Sequence, residues 1–228
     1  MSSWQRYDVL MQLERIGLLP TVHAAATEIY QQIAASLLAG GLPIIEVLLR
    51  TPEQQIPRVH LDAIYELRKT FGQNLLVGAG TVQTPERAQS AIDAGAQFLV
   101  SNLTDPDIIR LANINGILMI PGAREDSQIL TAISWGCPVV KLFAPLPDQA
   151  SDVNLAHLKE FFNIFPQTRF TITSGITPDK VGAYLQAGVP FVVPSGLITS
   201  EIIESKSWKL LTTRTQEYLQ AVASARAK

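Results

Sequence analysis

Eight short apolar runs rich in Val and Ile recur along the chain, each followed by a longer stretch with helical spacing. They are LLPTVHA (18–24), PIIEVLL (43–49), LLVGAGT (75–81), AQFLVS (96–101), ILMIPG (117–122), PVVKLFA (138–144), RFTITSG (169–175) and PFVVPSG (190–196). Apolar strands that alternate with helices form a parallel sheet covered on both faces. Several of the intervening stretches, among them TPERAQSAIDAG and TPDKVGAYLQAG, open on Thr-Pro and close on Gly. Thr before Pro is an N-cap followed by N1, and the Gly supplies a left-handed cap. Eight such units close into a (β/α)8 TIM barrel. An open doubly wound sheet is the alternative, but no GxGxxG follows the first run. A helix from Ser2 to Ile16 is expected to cap the bottom, and one from roughly Trp208 to Ala225 to close the ring. No linker or low-complexity tract interrupts the series, so residues 1–228 read as one domain.

Composition narrows the partners. With 47% hydrophobic and 17% charged residues, the chain can fill a single core. A net charge of −2 leaves no broad basic field, so no nucleic-acid partner is expected and a small molecule is. The opening MSSWQRYDVLMQLERIG lacks a basic head and apolar block, and no run is long enough to span a bilayer. A cytoplasmic protein with no membrane partner is expected. The single cysteine, Cys137, sits in the apolar CPVV and reads as packing. His23, His60 and His157 are scattered, with no HxH, HExxH or CxxC spacing, so neither a metal nor a cofactor is expected. His60 and His157 fall in helical stretches and are expected to face solvent. His23 ends the first run and is a minor candidate for substrate contact. Phe161, Phe162 and Phe165 have helical spacing and read as core.

In barrels of this kind the reacting groups come from the C-terminal ends of strands. The run IIEVLLRT places Glu46 among aliphatic residues, where a carboxylate is costly unless it is paired or takes a proton. Strand periodicity puts Ile44, Glu46, Leu48 and, if the strand continues, Arg50 on one face. A structural Glu–Arg pair accounts for this run equally well. Lys141, flanked by Val139, Val140, Leu142 and Phe143, has little room to reach water, and desolvation favours its neutral form. A neutral amine attacks a ketone to form an imine, and the iminium serves as an electron sink for cleavage of the adjacent carbon–carbon bond. Taken alone, Lys141 is more readily a strand-end lysine whose tip reaches solvent or a carboxylate. Together with Glu46 it gains the acid/base that imine chemistry requires. The turns TITSGITPDK and VVPSGLITSE could cradle a phosphate or be ordinary strand-to-helix turns. LLVGAGTV ends on two glycines and Thr81, a close backbone approach with one hydroxyl or a plain turn.

The motifs GLPIIEVLLRT, VGAGTV, DAGAQFLVS, MIPG, VVKLF and TSGI, in this order, resemble the 2-keto-3-deoxy-6-phosphogluconate and 4-hydroxy-2-oxoglutarate aldolases. These are class I barrel enzymes that release pyruvate. The resemblance spans nearly the whole chain. It implies that Lys141 is the imine lysine and Glu46 the general acid/base. It further implies that Arg50 and Thr81 hold the pyruvate carboxylate or line its pocket, and that Phe143 is an aromatic wall beside the lysine. Thr173, Gly175 and Ser195 would line the pocket or hold a substrate phosphate. A homotrimer acting on a 2-keto acid without a metal is implied as well. The chain departs from the family pattern in having SNLT for SPG, KLFAP for KxFPA, Ser174 for a glycine, and Pro194 where a glycine is usual. Proline lacks the N–H that a phosphate could use, so these departures bear on the far end of the substrate more than on cleavage. Two other functions are alternatives: a turnover-deficient barrel that binds a keto acid or sugar phosphate as a sensor or scaffold, and a phosphosugar isomerase or epimerase. The isomerase would call for metal-ligand histidines or paired strand-end carboxylates, which are not seen in the sequence.

Overall fold

Each apolar run becomes a parallel strand shorter than the run itself. The computed structural model describes residues 6–50, 58–143 and 155–227. In chain order the elements are α1 (Arg6–Ile16), β1 (Thr21–Val22), α2 (Thr27–Ala39), β2 (Ile44–Leu48), α3 (Arg58–Phe71), β3 (Leu76–Gly80) and α4 (Pro85–Asp93). Next come β4 (Phe98–Val100), α5 (Pro106–Ile114), β5 (Leu118–Ile120), β6 (Gly122–Ala123), α6 (Asp126–Ser134) and β7 (Val139–Leu142). The series closes with α7 (Leu155–Ile164), β8 (Arg169–Thr173), α8 (Pro178–Gln186), β9 (Val192–Val193), α9 (Ser200–Glu204) and α10 (Trp208–Arg226).

The regular ladders divide into two parallel sheets, β1-β2-β3-β4-β5 and β6-β7-β8-β9. Both seams are spanned by backbone hydrogen bonds. The run 117–122 is split into β5 and β6 by Pro121, which has no N–H for the ladder, yet its carbonyl accepts from the Lys141 N–H at 2.8 Å. At the other seam Leu18 bridges to Val192, with Leu19 N–H donating to the Val192 carbonyl and Val192 N–H to that of Gly17. The strands therefore form a (β/α)8 barrel with the eight expected runs as its staves. α1 buries Val9, Leu10 and Leu13 and packs against β5, as a capping helix should. The expected beginning of that helix, Ser2 to Gln5, lies outside the described residues.

Local chemistry explains the helix boundaries. The Thr84 side chain accepts from Arg87 N–H with Pro85 at the first helical position, and Asp105 caps α5 by accepting from Asp107 and Ile108. Thr177 precedes Pro178 in the same way but makes no side-chain cap bond. Gly41, Gly95 and Gly188 follow their helices at φ +90, +98 and +102, where a side chain would be strained. Phe170 of β8 points outward against the rings of Phe161, Phe162 and Phe165, with centroids 5.6 to 6.3 Å away. Phe165 and Cys137 are buried, while Phe161 and Phe162 pack against the core half-covered.

One expectation is overturned. His60 does not face solvent: it is 2% exposed. It opens the apolar stripe His60, Ala63, Ile64 and Leu67 of α3, and its Nδ1 lies 2.8 Å from the Tyr30 hydroxyl, which satisfies a buried polar atom. The side chain of His157 lies outside the described residues.

Candidate active site

Because all strands run parallel, their C-terminal ends share one mouth. Arg50, Thr81, Phe143, Gly175 and Ser195 all fall within two residues of a strand end, and Thr173 is the last residue of β8. Glu46 and Lys141 lie deeper. Glu46 pairs in register with Thr21 and Gly78, and Lys141 with Gly122 and Thr171. With Phe170 outward, alternation turns Thr171 and its register partner Lys141 inward.

Both charged side chains are buried, Glu46 at 1% exposure and Lys141 at 6%. Among the described residues neither carboxylate oxygen of Glu46 has a hydrogen-bond partner, and no ion pair within 4.0 Å includes Glu46, Arg50 or Lys141. The expected alternative of a direct structural Glu46–Arg50 pair is therefore not observed. β2 ends at Leu48, and Arg50 lies exposed beyond it. The three groups still act on one another through space. Burial raises the Glu46 pKa, opposed by the charges of Lys141 and Arg50. Burial lowers the Lys141 pKa, opposed by Glu46 and reinforced by Arg50. Both buried groups are thus driven toward their neutral forms, an amine that can attack and a carboxyl that can give and take a proton.

Small residues make room for this pair. A Cβ at Gly80 would overlap the Glu46 Oε1, so the carboxylate needs a glycine in the neighbouring strand. Gly122 is crowded in the same way, between the Asn102 backbone and the ring of Phe143. That ring lies beside the lysine, with Lys141 Nζ 5.4 Å from its centre. On the same ring stacks Arg124, with Cζ 4.9 Å away. In the sequence Arg124 carries little signal, only a charge one residue beyond β6.

The strand-end residues differ in what they offer. Thr81 has φ 59 and Ser174 φ 75, a conformation a β-branched or bulky residue rarely adopts, and such strain clusters at functional sites. The family's usual glycine suits the backbone at Ser174. The Thr173 hydroxyl donates to the Val193 carbonyl at 3.3 Å, so it is tied to the neighbouring strand. Gly175, at φ 61, accepts from Lys180 Nζ at 3.3 Å through its carbonyl. Ser195 is exposed in the turn after β9, beside the buried Pro194. In the SNLT segment Ser101 accepts from Leu103 N–H and Thr104 donates to the Gly122 carbonyl, which docks this loop on β6. Of KLFAP, Ala144 and Pro145 lie outside the described residues. Among the described residues no group of three His, Cys, Asp or Glu side chains could hold a metal ion, and no helix is long and apolar enough to cross a membrane.

A parallel barrel that buries a lysine and an unbonded carboxyl within reach of each other's charge has the architecture an imine-forming lyase needs. The family model for KDPG and KHG aldolase matches residues 9–213, and the chain belongs to that family. It is 30% identical over 213 residues to the 2-dehydro-3-deoxy-phosphogluconate aldolase of Treponema pallidum, covering 92% of this chain and 95% of that one. It is 29% identical to the KHG/KDPG aldolase of Escherichia coli K12, with coverages of 89% and 91%. Among solved structures, the Legionella pneumophila KDPG aldolase with pyruvate captured as a covalent carbinolamine intermediate superposes with a TM-score of 0.78. That protein is 29% identical, with 90% of this chain and 94% of that one covered.

Proposed function

We propose that this chain is a class I aldolase that cleaves a substrate of the 2-keto-3-deoxy-6-phosphogluconate or 4-hydroxy-2-oxoglutarate type. The products would be pyruvate and an aldehyde, glyceraldehyde 3-phosphate or glyoxylate. The observation that carries this is the mutual placement of Lys141 and Glu46, two buried ionisable groups that act on each other inside one barrel. In the proposed cycle the neutral Lys141 amine attacks the C2 ketone to give a carbinolamine. Glu46 supplies the proton with which the hydroxyl leaves as water, and the iminium forms. The Glu46 carboxylate so formed takes the C4 hydroxyl proton, which breaks the C3–C4 bond, and its electron pair moves into the iminium as an enamine while the aldehyde departs. Protonation at C3 and hydrolysis return free Lys141 and pyruvate. Arg50 and Thr81 hold the substrate carboxylate, Phe143 walls the imine, and Thr173, Gly175 and Ser195 line the distal end. The binding-only barrel finds no counterpart in the relatives described above, which are named aldolases.

The test is incubation with pyruvate, reduction with borohydride and peptide mass mapping. The adduct is expected on Lys141, and its absence there refutes the imine. Glu46→Gln should retain the adduct and lose turnover, and a fully active variant would remove Glu46 from the mechanism. A homotrimer in the cytoplasm completes the proposal, with sedimentation equilibrium reading its mass.

A further inference from the structure

The segment that carries Arg50 is held from several sides by side chains outside the reaction centre. Leu49 N–H donates to the Gly80 carbonyl at 2.8 Å, and the Leu49 carbonyl accepts from the buried Arg87 of α4 at 3.4 Å. The Arg50 carbonyl in turn lies 3.2 Å from His23 Nε2. Behind His23 its ring meets that of His60, with centroids 4.8 Å apart.

The hydrogen bonds assign the protons. The Tyr30 hydroxyl oxygen accepts from Ala24 N–H at 3.0 Å, which leaves its hydrogen for His60 Nδ1 at 2.8 Å. His60 Nδ1 is then the acceptor, and Nε2 carries the remaining hydrogen. Burial and the neighbouring His23 lower the His60 pKa, opposed by the backbone at Arg50. Tyr30 and His60 come from the buried faces of α2 and α3, so the device is rigid. His23 thus reaches the Arg50 carbonyl directly, and the buried Tyr30–His60 pair packs behind its ring.

We infer that His60, Tyr30 and His23 are positioning residues, a phenol–imidazole clamp that fixes the Arg50 backbone and so aims its guanidinium at the carboxylate of the bound 2-keto acid. This rests on the reading that Arg50 holds that carboxylate. A guanidinium on an exposed post-strand loop otherwise has many orientations, and a pre-set backbone reduces what binding must order.

The experiment is borohydride trapping on the full-length protein over a range of pyruvate concentrations. Tyr30→Phe removes one oxygen only, and His60→Leu removes both ring nitrogens. Each should raise the half-saturating pyruvate concentration about ten-fold with the rate at saturation changed less than about two-fold. His60→Gln, with an amide that can both donate and accept, should recover much of the loss. In an Arg50→Ala background Tyr30→Phe should have no further effect, because the interaction it serves is gone. Equal losses with and without Arg50, or an unchanged half-saturation in Tyr30→Phe, overturn the clamp alone. An Arg50→Ala protein that saturates at the parent concentration overturns the Arg50 reading and the clamp with it. If His60→Leu does not fold, Tyr30→Phe and its double variant decide the matter.

Discussion

The Glu46 carboxylate lies directly against Gly80, so close that a single added methyl at Gly80 would overlap Oε1. The acid/base of the proposed reaction therefore owes its position to the absence of a side chain one strand away.

Gly80→Ala should leave the barrel folded and displace Glu46. Since a positioned acid or base contributes about 10²–10⁴-fold, a fall in kcat of at least about 10²-fold is expected while pyruvate is still trapped on Lys141. Steady-state cleavage rates and circular dichroism check this together. A near-normal kcat would place the proton transfer elsewhere.

The pH dependence of imine formation follows from the Lys141 surroundings. Burial holds its pKa below the ordinary amine value and Glu46 opposes that drop. The trapping rate should climb as pH rises through the lowered pKa and level off above it. In Glu46→Gln the opposing charge is gone, the pKa falls further, and the climb moves to lower pH. A climb displaced to higher pH would contradict the assignment.

Stability should reveal the cost of the pair. Lys141 has a lowered pKa, so the folded chain binds fewer protons than the unfolded one between that value and 10.5, and stability rises with pH across this window. Glu46 has a raised pKa, so stability falls as pH rises from 4.5 to the raised value. Both charges are costly near neutrality. The double variant Glu46→Gln/Lys141→Met should be inactive yet more stable at neutral pH by about 1–4 kcal/mol, read by chemical denaturation. Lower stability than the parent would mean that the two charges stabilise the fold.

Backbone strain gives a separate test. Thr81→Gly and Ser174→Gly remove side chains at φ 59 and φ 75, and each should stabilise by about 1 kcal/mol after the entropy cost of glycine. Thr81→Gly should also weaken pyruvate saturation, whereas an unchanged saturation curve would confine Thr81 to a structural role.

Much of this was legible in the chain. The eight runs, the Thr-Pro caps and the closing glycines reflect local periodicity and turn chemistry, which short stretches carry within themselves. Glu46 and Lys141 stood out because a charge among aliphatics is an anomaly visible in one dimension. His60 departs from the solvent-facing expectation because helix membership does not imply exposure, and its spacing with Ala63, Ile64 and Leu67 marks the buried face. Arg124 gave almost no sign, since stacking on Phe143 joins two loops separate in sequence.

The barrel and its family are written in local sequence, because repeated period and capping specify each unit before any of them meet. Tertiary packing alone sets Glu46 apart from Arg50, requires a bare Gly80, and brings His23 to the Arg50 carbonyl with the Tyr30–His60 pair behind it. Those relations join residues on different strands and helices. They depend on register and barrel closure, which no single segment encodes.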